Sequence, residues 1–156
     1  MLIRTTSLLL LFTSLAGAVC AGDCWDEKDP VKVTLVVILA SEEGNHVDKR
    51  LKAVATEIQK LHPHLKSFSI KSQEQRSLKP NEKVSLMCAE KRKVDMVINH
   101  GADKDNRVSL KIKPPQMSEL EYQSVCGKFL PIVTPCKTAK GETIILAIRV
   151  EPCRAP

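Results

Sequence analysis

Cysteine and histidine are the residues of this chain whose types could carry out chemistry. There are six cysteines and four histidines in 156 residues. A thiolate can act as a nucleophile, bind a soft metal ion or form a disulfide with a second thiol. No two cysteines have the C-x-x-C spacing that is typical of zinc and redox sites. We therefore expect the cysteines to serve mainly as cross-links.

Histidine and acidic clusters offer weaker sites. His62 and His64 form an H-x-H pair, but the proline between them is expected to point the two side chains in different directions. The segment 103–106 lacks the glycine and the distant glutamate that complete a calcium-binding loop. There is no G-x-S-x-G nucleophile turn, phosphate-binding glycine loop or H-E-x-x-H motif. We predict no catalytic residue, no metal site and no cofactor.

The first 21 residues are predicted to be a secretory signal peptide. Arg4 is the only charge before Asp23, and an apolar run at 8–12 is followed by small residues. That run is too short to cross a bilayer as a helix, and no transmembrane helix is predicted in the rest of the chain. The protein is therefore expected to be exported, to the periplasm, the cell surface or the medium.

The cleavage site has more than one interpretation. Cleavage after Ala21 fits best, and cleavage after Ala18 is the alternative. A lipid anchor on Cys20 also stays open. Cleavage after Ala21 leaves residues 22–156, which is the length of one domain with a core of its own.

Export would place the remaining cysteines in an oxidising compartment, where disulfides persist. If the last hairpin turns near Lys140, its register brings Cys126 close to the chain end and favours a bridge to Cys153. Cys136 would then pair with Cys24 or Cys88, and one thiol would stay free. The disulfide candidates are Cys24, Cys88, Cys126, Cys136 and Cys153.

The chain is basic, with a formal net charge of +6. A basic surface attracts anionic polymers and head groups, although a charge of this size also suits ordinary solubility. The candidate anion-binding residues are Lys91, Arg92, Lys93, Lys111 and Lys113. Aromatic residues make up only 3% of the chain, which disfavours base stacking on single-stranded nucleic acid. Expected partners are an anionic envelope polymer or another envelope protein, without specific nucleic-acid recognition.

The elements that would position these residues can be predicted from hydrophobic periodicity. Residues 31–40 form an almost continuous apolar, β-branched run, which indicates a strand buried on both faces. Asp48 is a predicted helix N-cap, and apolar residues recur at helical spacing from Val47 to Leu61. Pro63 should end that helix, because a proline cannot continue it.

Most of the chain after the helix alternates between apolar and polar residues, which predicts antiparallel strands. Pro131 and Pro135 mark one of these strands as an edge strand or a bulged one. The predicted fold is α+β, with a strand–helix–strand start and then a mainly antiparallel meander or sandwich. We find no linker or repeat, and we predict a single domain over residues 22–156.

Several short segments resemble a group of small exported bacterial proteins of unknown function. The similar segments are 38–41, 47–48, 51–52, 105–108, 113–115 and 144–149. They are structural rather than chemical motifs, so the resemblance implies a fold and an exported location but no activity.

Three functions follow from the sequence. The first is a non-enzymatic exported binding or envelope-associated module, with anionic ligands as one class of target. The second is an enzyme or redox protein that uses an unpaired cysteine. The third is a subunit of a disulfide-linked or sheet-extended assembly. We favour the first, because the catalytic motifs are missing.

Overall fold

A computed structural model describes residues 28–152. The predicted signal peptide lies outside these residues, as do Cys20, Cys24 and Cys153. Within them are eight strands, one 3-10 turn and one α-helix. In chain order they are β1 (Val31–Ser41), η1 (Lys49–Leu51), α1 (Lys52–Leu61), β2 (Ser67–Leu78), β3 (Lys83–Met87), β4 (Lys93–His100), β5 (Arg107–Lys113), β6 (Leu120–Val125), β7 (Phe129–Lys137) and β8 (Thr143–Pro152).

The strands form two four-stranded antiparallel sheets. Sheet A has the order β2-β1-β8-β7, and sheet B is the meander β3-β4-β5-β6. The α+β class predicted from the sequence is therefore confirmed in its broad form: the described chain is rich in sheet, with one short helix. The sequence left a meander and a sandwich open. The described residues form two sheets and not one continuous meander.

Sheet A is covered on both faces, so the described chain has three layers. One face of β1 and β8 packs on the inner face of sheet B, where Leu110 is fully buried. The other face packs on helix α1 and on Phe68, which is also fully buried. The double burial of β1 is confirmed. It arises in an antiparallel sheet, because a helix covers one face and a second sheet covers the other.

Helix α1 begins and ends close to the predicted positions. Asp48 caps the 3-10 turn that leads into it, and its Oδ1 accepts a hydrogen bond of 3.0 Å from the Arg50 amide. The Arg50 guanidinium also donates to both carboxylate oxygens. At the other end, His62 N donates to the Ile58 carbonyl, and the chain turns away before Pro63.

Removal of the Asp48 cap should make stability depend less on pH in acid. Hydrogen bonds from the Arg50 side chain and amide lower the pKa of Asp48 to about 2. This contribution to stability is complete above the ordinary pKa of an aspartate and is lost as the pH falls through about 2. We expect Asp48→Ala to lower the midpoint of thermal unfolding at pH 7, with a smaller difference from the natural chain at pH 2.

The matched control is Glu43→Ala, an exposed carboxylate in the loop before the cap. Circular dichroism melts of both variants at pH 7, 4 and 2 measure the effect. A difference between Asp48→Ala and the natural chain that stays constant across this range would contradict the role of the ionised cap.

Candidate functional site

An apolar groove lies where the open edges of the two sheets meet the end of helix α1. Strand β6 is the edge of sheet B, and β7 is the edge of sheet A. The groove has a volume of about 350 Å³. Its lining comes from α1, the loop after β5, β6 and β7, with Leu61, Met117, Leu120, Tyr122, Leu130 and Ile132 among the residues.

Exposed apolar side chains are concentrated at this groove. Leu61 is 81% exposed, Tyr122 45% and Leu120 36%, and all three line it. The other two large apolar side chains exposed in the described part of the chain are Met87 and Val125. The polar side chains of the lining are Glu57, His62 and the phenol of Tyr122. The clustering of these apolar side chains makes the groove the candidate site of interaction.

The position of Leu61 corrects one sequence-based expectation. The periodicity from Val47 to Leu61 predicts a single buried stripe, and Val54, Ala55 and Ile58 are indeed buried. Leu61 is not, because it is the last residue of α1 and lies among the lining residues of the groove. Leu61 is exposed because helix α1 ends there, and hydrophobic periodicity does not show where the packing of a helix against a sheet ends.

Strand β7 forms one wall of the groove and is an edge strand, as its prolines predict. Pro131 and Pro135 have no N–H group, so they remove two donors that a partner strand would need. Prolines on edge strands oppose extension of a sheet by another chain. The groove is thus better suited to receiving side chains than to adding a strand along β7.

The predicted anion-binding residues separate into two places. Lys93, Lys111 and Lys113 lie on strands β4 and β5, on the outer face of sheet B. Lys91 and Arg92 lie in the turn between β3 and β4.

Carboxylates accompany the basic residues of that outer face. Lys111 Nζ is 3.2 Å from a carboxylate oxygen of Glu121 and 4.0 Å from one of Glu119. Lys113 is paired in register with Asp95. Because the basic groups are interleaved with acidic ones, this face has a weaker field for anions than the sequence suggests.

Three cysteines lie in the described part of the chain, and none of them is in a disulfide there. Cys136 is buried in β7, while Cys88 follows β3 and Cys126 follows β6, both half-buried. Gly127 N donates to the Val150 carbonyl at 2.9 Å, which places Cys126 beside the end of β8. The predicted bridge from Cys126 to Cys153 stays a prediction, because Cys153 lies outside the described residues.

The half-buried thiols are poorly suited to nucleophilic chemistry. Burial, with a smaller contribution from Cys136, raises the pKa of Cys88 to about 11. Burial and the nearby Asp103 carboxylate raise the pKa of Cys126 above its ordinary value. Both shifts reduce the fraction of thiolate at neutral pH, and the thiolate is the reactive form.

Other polar clusters have structural explanations. Asp103 Oδ1 accepts hydrogen bonds from the amides of Asp105 and Arg107, so it shapes the turn between β4 and β5. The rings of His62 and His64 meet edge to face at 5.8 Å, contrary to the expectation that proline separates them. Within residues 28–152, no three metal-ligating side chains come together. No helix there is long and apolar enough to cross a bilayer.

These features define an α+β protein of three layers with an apolar groove at its open edge. Comparisons with protein-family models, curated proteins and solved structures found no match for the chain. The resemblance to small exported bacterial proteins therefore stays a prediction. The groove is the feature from which a function can be argued.

Proposed function

We propose that this protein is a non-enzymatic exported binding module, and that its groove receives apolar side chains of a protein partner. The observation that carries this proposal is the concentration of exposed Leu61, Leu120 and Tyr122 at one groove. Exposing these groups together costs solvation free energy, which a partner would recover by covering them. The proposal includes the predicted strand–helix–strand start, because helix α1 provides one wall of the groove.

A protein partner fits the lining better than a small polar ligand does. Small-molecule sites usually combine an apolar wall with several convergent polar groups that fix orientation. Here the polar side chains of the lining are Glu57, His62 and the phenol of Tyr122, and Glu57 is already paired with Lys60 at 2.6 Å. Aromatic and aliphatic anchors with few polar groups are typical of the energetic centre of a protein interface.

Among the described cysteines, Cys88 and Cys126 bear on the choice between binding and thiol chemistry. Their raised pKa values favour the neutral thiol at the pH of an exported compartment. At these two residues, this supports binding over the thiol-dependent alternative. An anionic ligand on sheet B is disfavoured by Glu119 and Glu121 beside Lys111.

Selection of displayed random peptides on the immobilised protein tests this proposal. The protein is produced from its full coding sequence, so that the host removes any leader. Its intact mass then shows whether the chain begins after Ala21. We expect enriched peptides with two or more apolar residues. Their affinity should fall by at least ten-fold on Leu61→Asp, because a charge placed in an apolar interface must lose its hydration.

Met87→Asp is the matched control, because Met87 is an exposed apolar residue that does not line the groove. Peptides that bind the natural chain and both variants equally would refute the proposal. Sedimentation velocity identifies self-association. If the natural chain forms a dimer that Leu61→Asp abolishes and Met87→Asp does not, the partner is a second copy of this chain and not a different protein. Circular dichroism confirms that both variants are folded.

A further inference from the structure

Cys88 and Cys136 lie at a junction between the two sheets, and neither of them lines the groove. Cys136 is 1% exposed and belongs to the core between the sheets. Cys88 is half-buried and packs against that same core. Cys136 is in the edge strand of sheet A, and Cys88 directly follows the edge strand of sheet B.

Backbone and side-chain hydrogen bonds hold this junction together. Cys88 N donates to the Arg92 carbonyl at 2.8 Å. Arg92 Nη1 in turn donates to the carbonyl of Lys137 at 3.2 Å, and Lys137 directly follows Cys136 in β7. The turn that carries Cys88 is therefore fastened to the residue next to Cys136.

The turn itself is held in an unfavourable conformation. Glu90 and Lys91 both have positive φ, at 57° and 58°. The Arg92 amide closes the turn on the Ala89 carbonyl at 3.1 Å. Two consecutive non-glycine residues in this region are strained, and such strain persists only where the surroundings fix the conformation. Here the β3–β4 pairing and the hydrogen bonds of the turn supply that constraint, and they hold Cys88 in place.

We propose that Cys88 and Cys136 form an intrachain disulfide that joins the β3–β4 turn to strand β7. In the structure the Cys136 thiol is free, 3.5 Å from the Pro115 carbonyl and 3.4 Å from Gln116 Oε1. The bond requires this thiol to leave both contacts. The proposal does not depend on the groove, but it requires the oxidising environment of an exported protein.

The oxidant is a disulfide of the exported compartment, either a small-molecule disulfide or that of a thiol oxidoreductase. One cysteine thiolate attacks a sulfur of this oxidant, forms a mixed disulfide and releases the first thiol. The second thiolate then attacks the mixed disulfide, closes the Cys88–Cys136 bond and releases the second thiol. Two electrons pass to the oxidant, which is reduced to two thiols with the two protons that the cysteines lose.

The electrostatics of the pair agree with this arrangement. Burial and then the presence of Cys136 raise the pKa of Cys88, so the two thiols interact in the fold. The thiolate is scarce at neutral pH, which slows exchange once the sheets have packed. The bond is therefore expected to form fastest while the chain is still folding.

Peptide mapping under non-reducing conditions tests the proposal. The protein from the full coding sequence is unfolded, reduced and refolded with a mixture of oxidised and reduced glutathione. We expect a linked peptide pair that contains Cys88 and Cys136 and that separates on reduction. Cys88→Ser should remove this pair, and Cys126→Ser, the matched control, should keep it.

Thermal unfolding gives a second readout, which begins with the natural chain and adds the two variants as a comparison. The bond closes a loop of about 50 residues, and reduction of the natural chain should lower the unfolding midpoint by roughly 10 °C. Cys88→Ser should be less sensitive to reduction than Cys126→Ser. The proposal is overturned if Cys88 or Cys136 is found bridged to another cysteine, or if both stay alkylatable after oxidative refolding.

Discussion

Replacing Phe68 with alanine is expected to lower the free energy of unfolding by about 3–5 kcal/mol. The Phe68 ring is fully buried between sheet A and helix α1. Its backbone also fixes the loop that enters the helix: Asp48 N donates to the Phe68 carbonyl at 3.0 Å, and Phe68 N donates to the His46 carbonyl at 2.8 Å. The substitution leaves a cavity beside these bonds and loosens the helical layer.

Urea denaturation followed by circular dichroism measures this change, and amide hydrogen exchange should show α1 opening first. Phe129→Ala is the control, because Phe129 is only partly buried and has the Arg149 guanidinium 5.0 Å from its ring centre. We expect a clearly smaller loss for the control. A loss below about 1 kcal/mol for Phe68→Ala would mean that the helix is not anchored through this ring.

Leu110→Ala should cost about 2–5 kcal/mol and should act on the other core. Leu110 is fully buried on the inner face of β5, and no strand pairing joins the two sheets in the described residues. The sheets are therefore held together mainly by side-chain burial. Loss of this side chain removes apolar contact at the middle of the interface and leaves a void.

The control for Leu110→Ala is Lys111→Ala. Lys111 is the next residue, it points to the outer face of sheet B, and its Nζ lies 3.2 Å from a carboxylate oxygen of Glu121. Lys111→Ala should cost less than about 1 kcal/mol, because exposed ion pairs contribute little. Hydrogen exchange should open β4 and β5 before α1 in Leu110→Ala, the reverse of the order for Phe68→Ala. Equal losses for Leu110→Ala and Lys111→Ala in urea would contradict the two-sheet core.

Local chemistry predicted much of the fold. Burial of both faces of β1 follows from its unbroken apolar run, and the helix cap follows from Asp48 before an amphipathic stretch. Pro131 predicted an edge strand, because a proline there cannot donate to a neighbour. These features depend on residues close together in sequence, which is the range over which periodicity and capping carry information.

The groove could not be predicted in the same way. Leu61 ends a helix and Tyr122 lies in a strand some 60 residues later, and their proximity depends on how the layers stack. The one sequence signal was a lone tyrosine in a short strand, and burial would have explained it equally well. The ion pairs of Lys111 were missed for a related reason, because they depend on the register of β5 against β6.

The pairing of β1 with β8 has a consequence for how the chain is made. The first described strand, β1, begins at Val31. It pairs in the middle of sheet A with the last described strand, β8, which ends at Pro152. During synthesis the middle of sheet A stays unfilled until β8 has left the ribosome, so the domain cannot complete its fold before this strand emerges. A chain of this topology stays open for longer than one built from local contacts, because closing distant ends is slow.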